Sequence, residues 1–177
     1  QKRGCLFLVD AIQSLGAFPI DVQKIRADFL MADGHKWLLA PEGLGVFYIA
    51  ERVLDQVRPT QFGWHMVERM GDYETRDWEP AHSARRYECG SPNMLGIRAL
   101  AASLSLLMEE GMDSISNEIL KRTATLVDLI QQQPTLELLS STHHDRQSGI
   151  VVFKHQKMPN NALWSYLKNE NVICAVR

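Results

Sequence analysis

Cysteine is scarce in this sequence. Only three stand among 177 residues, Cys5, Cys89 and Cys174. They are odd in number and far apart, which excludes a disulfide framework and a zinc site of ordinary spacing. Each lies among apolar or small neighbours, so each is expected to pack as a small buried hydrophobe, in a reducing cytosol. Long hydrophobic runs are absent as well. No stretch approaches the ~20 apolar residues of a membrane span. The apolar run after Arg3 is short, with Asp10 close behind, and no secretory signal peptide is visible in it. There is no excess of charge: 19 basic residues face 21 acidic ones, for a formal net charge of -2. That balance argues against nucleic acid and membrane surfaces as partners. The most basic run, Gln1-Lys2-Arg3, reads as a solvated end. Repeats and low-complexity segments are lacking. An initiating Met is lacking too. The chain opens almost at once on a strand pattern and stops inside another, so a piece of a longer protein is expected.

What is present is ordinary globular composition, 45% hydrophobic and 23% charged, enough to bury a core. Leu6–Val9, Ala27–Ala32 and Val46–Ile49 are continuous apolar runs, the pattern of strands covered on both faces. Asp21–Ile25 reads as a short helical piece and Glu51–Val57 as a short helix. Arg58–Pro92 has no period and is rich in Gly, Pro, Trp, His and charge. A stretch of that length is usually functional, and its aromatics argue against disorder. After Pro92 the period becomes helical. Ile97, Leu100, Ala101, Leu104 and Leu107 share a face, and Gly111 is placed to cap that helix. A second helix is expected over about 113–133, with Ile115, Ile119, Leu126, Leu129 and Ile130 inward and Pro134 as its stop. Leu136–Leu139, Ile150–Phe153 and Val172–Val176 read as strands, with a helix capped by Asn160 or Asn161 before the last. The fold class is therefore α/β, with domains at 1–111 and 112–177, the second a small α+β unit.

Ligands bind at the carboxyl ends of parallel strands. Two successive strand patterns here end in charged groups, Asp10 after the first and His35-Lys36 after the second. On neighbouring strands, a carboxylate and an amine would converge on one crevice. That pair suits pyridoxal 5'-phosphate (PLP): the amine forms a Schiff base with the aldehyde, and the carboxylate keeps the ring nitrogen protonated. Gln13 and His35 offer further hydrogen bonds. On spacing alone the pair fits equally a plain ion pair or two solvated loop residues. Gly43 and Gly45 read as turn glycines, since a lone Gly-Leu-Gly is weak evidence for a phosphate loop. His143-His144 reads as a solvated pair, not as metal ligands.

Val9-Asp10-Ala-Ile-Gln13-Ser-Leu-Gly16, Ile20-Asp21-Val22, Ala27-Asp28-Phe29, Gly34-His35-Lys36-Trp37 and Gly43-Leu-Gly-Val-Phe-Tyr48 follow one another in order. Together they resemble the central block of class V aminotransferase and cysteine desulfurase-like enzymes. Arg86-Tyr-Glu-Cys-Gly-Ser-Pro-Asn93 is similar to a second segment of that family. The resemblance implies the second half of a fold type I PLP-dependent large domain at 1–111, then part of the small C-terminal domain at 112–177. It implies a homodimeric, cytoplasmic transferase or lyase acting on a small amino acid. By resemblance, Lys36 is the Schiff-base lysine whose freed amine then moves the α-proton. Asp10 pairs with the pyridinium nitrogen, Gln13 with the phenolate oxygen, and His35 lies against the phosphate. Ser91, where the family has Thr, reaches the phosphate of the neighbouring subunit. Arg177 resembles an arginine near the substrate carboxylate, a contact that suits a planar guanidinium.

Two departures accompany this resemblance. Asp33 stands where many relatives have Ser, and a carboxylate beside a phosphate would repel it unless turned away or paired. The family's preceding half, with its phosphate-cradling helix N-terminus and stacking aromatic ring, and the segment after Arg177 where a desulfurase carries its nucleophilic cysteine are expected to lie outside this sequence, and none of the three cysteines stands in that place. The alternative expectation is a truncated, non-catalytic fragment or an inactive homologue serving as a scaffold. The isolated chain is expected to bind PLP weakly or not at all.

Overall fold

A computed structural model describes residues 4–176, the side chain of His144 excepted. Arg177 and the run Gln1-Lys2-Arg3 therefore lie outside the described residues. The chain divides into two compact units, Gln1–Asp113 and Ser114–Arg177.

The first unit is built on strand β2 (Phe29–Asp33), which buries Phe29, Leu30 and Ala32 and half-buries Met31 and Asp33. Strand β1 (Leu8–Asp10) pairs with it in parallel, Asp10 opposite Met31. Strand β3 (Gly45–Ile49) pairs with its other edge, antiparallel, Asp33 opposite Gly45. The sheet is mixed, not uniformly parallel. Parallel neighbours need a crossover connection, and this one carries the short helix α1 (Val22–Ile25). Asp21 caps it, accepting from the amides of Gln23 and Lys24 at 2.9 and 3.0 Å.

A buried carboxylate ties the strand starts together. Asp28 is 2% exposed. It accepts the Phe7 amide at 2.7 Å and the Arg52 guanidinium at 2.7 Å. Arg52 lies on helix α2 (Glu51–Leu54) and also donates to the carbonyls of Arg26 and Ala27. Burying a charge is tolerated when it is paired and hydrogen-bonded, and here both conditions hold.

The irregular segment 58–92 is organised by two arginines. Arg85 donates to the carbonyls of His65 and Val67 at 2.6 and 2.7 Å. Arg86, 8% exposed, donates to the carbonyls of Ala81 and Leu54 and pairs with Asp55. Both stand in a 3-10 turn, Ala84–Tyr87. Helix α3 (Met94–Glu110) follows, capped by Asn93, whose side chain accepts the Gly96 amide at 2.9 Å. Gly111 closes it with its amide on the Leu107 carbonyl.

Helix α4 (Met112–Gln131) leads into the second unit, which holds β4 (Leu136–Leu138), a 3-10 turn (His144–Arg146), β5 (Phe153–His155) and helix α5 (Asn160–Asn169). The β4–β5 pair is antiparallel.

Several expectations are corrected. Val172–Val176 is not a strand: no strand pairs with it among the described residues, its bonds run only to α5 (Val172 amide to the Leu167 carbonyl, Trp164 indole to the Cys174 carbonyl), and Ile173 is fully exposed. An apolar run becomes a strand only where an edge accepts its hydrogen bonds. Strand β5 starts later than the apolar run Ile150–Phe153, because its register is set by Leu138 opposite Phe153. β1 is an edge, with Leu6, Phe7 and Leu8 about half exposed, so it is not covered on both faces. Cys5 and Cys174 are exposed for the same reasons, and only Cys89 is partly buried. The buried stripe of α4 is Ser116, Thr123, Val127 and Ile130, and Leu126 and Leu129 are exposed. A polar residue is buried there because it has a partner: the Thr123 hydroxyl donates to the Ser148 carbonyl at 2.8 Å. On α3, Ile97 and Ala101 are exposed and the buried side is Gly96, Leu100 and Leu107. Pro159, not Asn160 or Asn161, holds the N-cap position of α5.

Candidate functional site

Because β1 and β2 run parallel and adjacent, their carboxyl ends lie on one edge of the sheet. Asp10 is the last residue of β1. Lys36 follows β2 in the loop 34–44, which returns the chain to β3. The loop is closed at its base by the Gly34 amide on the Leu44 carbonyl at 2.8 Å. Within it, the Ala40 amide reaches the Gly34 carbonyl and the Leu39 amide reaches the Lys36 carbonyl. Leu39 adopts the left-handed conformation, φ 57°, and Leu38 anchors the loop at 2% exposure.

Two neighbours hold this loop. From the β1 side comes the turn 11–18, whose Ser14 and Leu15 amides both bond to the Ala11 carbonyl. Gly16 in that turn has φ 92°, and a Cβ on it would stand 2.3 Å from the Trp37 carbonyl oxygen. Only glycine permits that approach. Beside it, the Trp37 indole Nε1 donates to the Gln13 side-chain oxygen at 3.3 Å. From α3, the Ser103 hydroxyl donates to the Leu39 carbonyl at 2.9 Å, and the Asn93 amide to the Gly43 carbonyl at 3.3 Å.

Asp10 and Gln13 thus follow the carboxyl end of β1, and His35 and Lys36 follow that of the adjacent β2. Lys36 is half-buried, and its amine has no hydrogen bond or ion pair among the described residues. Asp10 is exposed, with one oxygen accepting the Ile12 amide at 3.1 Å and the other free of protein donors among the described residues. His35 is exposed, its Nδ1 3.9 Å from an Asp33 oxygen. The carboxylate at 33 therefore has an imidazole within reach. Ser91 is exposed just before the α3 cap and makes no hydrogen bond to this cluster. Arg177 lies outside the described residues. Trp37 was not among the candidate residues. Its indole contact depends on two loops meeting, and no spacing rule encodes that.

Among the described residues no group of three or more His, Cys, Asp or Glu could hold a metal ion. Among the same residues no helix is long and apolar enough to cross a membrane.

The arrangement has counterparts among known proteins. A probable cysteine desulfurase of Pyrococcus abyssi is 32% identical over 156 residues, 86% of this chain and 37% of its own length. The apo structure of the cysteine desulfurase from Thermococcus onnurineus matches with a TM-score of 0.81 at 27% identity, over 97% of this chain and 42% of that one. A C-DES mutant with glycine covalently linked to its PLP cofactor matches with a TM-score of 0.78 at 26% identity, over 90% of this chain and 41% of that one. This chain therefore spans less than half the length of these relatives. The family model described as aminotransferase class-V matches residues 1–176, and the chain belongs to that family.

Proposed function

We propose that this chain forms the lysine-bearing part of a PLP-dependent enzyme acting at the α-carbon of an amino acid, as an aminotransferase or a cysteine desulfurase-like lyase. One observation carries the reading: adjacent parallel strands lead at the same end to a carboxylate, Asp10, and to a half-buried lysine, Lys36, whose amine is unpaired among the described residues.

The donor set fits the cofactor. An aldehyde calls for a free amine, which Lys36 offers. A basic ring nitrogen calls for a carboxylate with a spare oxygen, which Asp10 has. A ring phenolate calls for a donor, and the Gln13 amide has an NH2 group to give. A phosphate calls for a cation or N–H donor, which His35 supplies.

When bound, PLP supplies an electron-withdrawing ring that spreads the negative charge left at the substrate's α-carbon. The protein does the rest. Lys36 would hold the cofactor's aldehyde carbon through its amine, and that amine would hold and move the α-proton. Asp10 keeps a proton on the ring nitrogen. Gln13 and His35 orient the ring and the phosphate. Asp33 has the His35 imidazole within 3.9 Å, a partner for its carboxylate. Ser91 supplies a hydroxyl to the phosphate of a second copy in a homodimer, and Arg177 binds the substrate carboxylate.

The test is borohydride reduction of the protein encoded by its complete gene, after incubation with PLP, followed by peptide mapping. The reading expects one reduced adduct, on Lys36, abolished in Lys36→Ala. An adduct scattered over surface lysines would sink it. The share of a relative's length that the chain spans, 37%, favours a second reading, in which these residues alone hold no cofactor. The same labelling of residues 1–177 by themselves decides between them.

A further inference from the structure

We infer that Trp37 is a positioning residue: its indole fixes which end of the Gln13 amide faces the cofactor. The inference rests on the function proposed above and adds a role to a residue that function leaves unused.

The indole N–H is a donor and has no acceptor capacity. A primary amide has one end of each kind. The indole Nε1 lies 3.3 Å from the Gln13 amide, so only the carbonyl oxygen is compatible with that place. The NH2 end is thereby turned away from the indole, and it has no protein partner among the described residues. A phenolic oxygen, as an anion, accepts and does not donate. An amide turned the other way would set two acceptors against each other. Exposed amides rotate freely between the two arrangements, and the Trp37 bond removes the wrong one before any ligand arrives.

The indole is itself held. Its backbone carbonyl is packed against Gly16 so closely that a Cβ there would stand at 2.3 Å. The next residue, Leu38, is buried, and the one after is fixed by Ser103. Gln13 is fixed by the turn on Ala11. The bond therefore joins the turn after β1, the strand that ends in Asp10, to the loop after β2 that bears Lys36.

The test uses the protein from its complete gene, with PLP as the probe, and the variants Trp37→Phe, Gln13→Ala and both together. Phenylalanine keeps the packing and removes the donor. Two quantities are read: the PLP dissociation constant, and the absorbance of the bound cofactor across pH. Trp37→Phe is expected to weaken binding roughly three- to tenfold, the worth of about one hydrogen bond. It is expected to move the absorbance titration in the same direction as Gln13→Ala. The double variant is expected to be no worse than Gln13→Ala, because both act through one group. Additive effects, or a Trp37→Phe protein that binds and titrates as the parent does, would overturn the inference. Gln13→Glu guards against a Trp37→Phe that fails to fold. It keeps an acceptor for the indole and loses the NH2, and unchanged PLP binding and titration in it would also overturn the inference. If Gln13→Ala changes neither quantity, this inference falls while the reduced adduct on Lys36 still judges the proposed function on its own.

Discussion

The Ser103 hydroxyl donates to the carbonyl of Leu39 at 2.9 Å, across 64 residues of sequence. It thereby clamps the back of the Lys36 loop to the middle of a long helix. Leu39 is the loop residue in the left-handed conformation, so the clamp falls where the backbone is least favourable. Ser103→Ala removes this bond, and alanine raises helix propensity. The two effects nearly cancel globally, and a stability change within about 0.5 kcal/mol is expected in urea unfolding. Locally they do not cancel. Hydrogen exchange at the Leu39 and Ala40 amides should accelerate, and unchanged exchange there would show that the clamp is idle.

Gly16→Ala is expected to be far more damaging. The φ of 92° and the 2.3 Å approach to the Trp37 carbonyl leave no room for a methyl group. Left-handed strain and overpacking together come to about 3 kcal/mol. Denaturant midpoints measure the loss, and PLP affinity should fall with it, because the turn and the Lys36 loop part company. A stable variant with parental affinity would contradict this account.

Asp28→Ala should cost about 3 kcal/mol, because it unpairs Arg52 and leaves the Phe7 amide without its acceptor. Asp28→Asn should recover part of this, since an amide oxygen still accepts. Equilibrium unfolding of the three proteins gives the ranking. Equal stability of the Ala and Asn variants would count against the hydrogen-bond account.

Arg86→Met keeps an aliphatic stem and removes the guanidinium that bonds the Ala81 and Leu54 carbonyls. A loss of about 2 to 4 kcal/mol is expected, as two carbonyls lose a charged donor. Arg86→Lys should not rescue it, because an ammonium lacks the fork that spans separated acceptors. Emission from Trp64 and Trp78, both in the segment it pins, reports the loosening. Full rescue by lysine would refute the role of the fork.

Much of this fold was legible in the sequence. The apolar runs ending at Asp10 and before His35-Lys36 were strands, and their polar ends were a shared edge because β1 and β2 pair in parallel. Composition of this kind reports which residues avoid water. It does not report what accepts their hydrogen bonds. Val172–Val176 has the same apolar character as β2 and forms no strand, since no edge meets it among the described residues. Thr123 lay outside the expected stripe of α4, because a threonine is buried only if some distant carbonyl receives it, here Ser148. The motif Ala27-Asp28-Phe29 was visible as a pattern, but the work of Asp28 was not, since it depends on Arg52 beyond the next strand. The Trp37–Gln13 bond was hidden for the same reason.

The mixed sheet also sets an order of events. β2 and β3 are joined by one loop, so the loop bearing Lys36 is enclosed by a local pairing. β1 reaches β2 only across the crossover through α1. Pairings of short sequence separation form at lower loop-closure cost. Val46→Ala on β3 should therefore slow folding, whereas Val9→Ala on β1 should chiefly speed unfolding, and stopped-flow kinetics that reversed the two would refute this order. On that order the loop bearing the amine is enclosed before the strand bearing the carboxylate docks, so the two halves of the crevice form in separate steps.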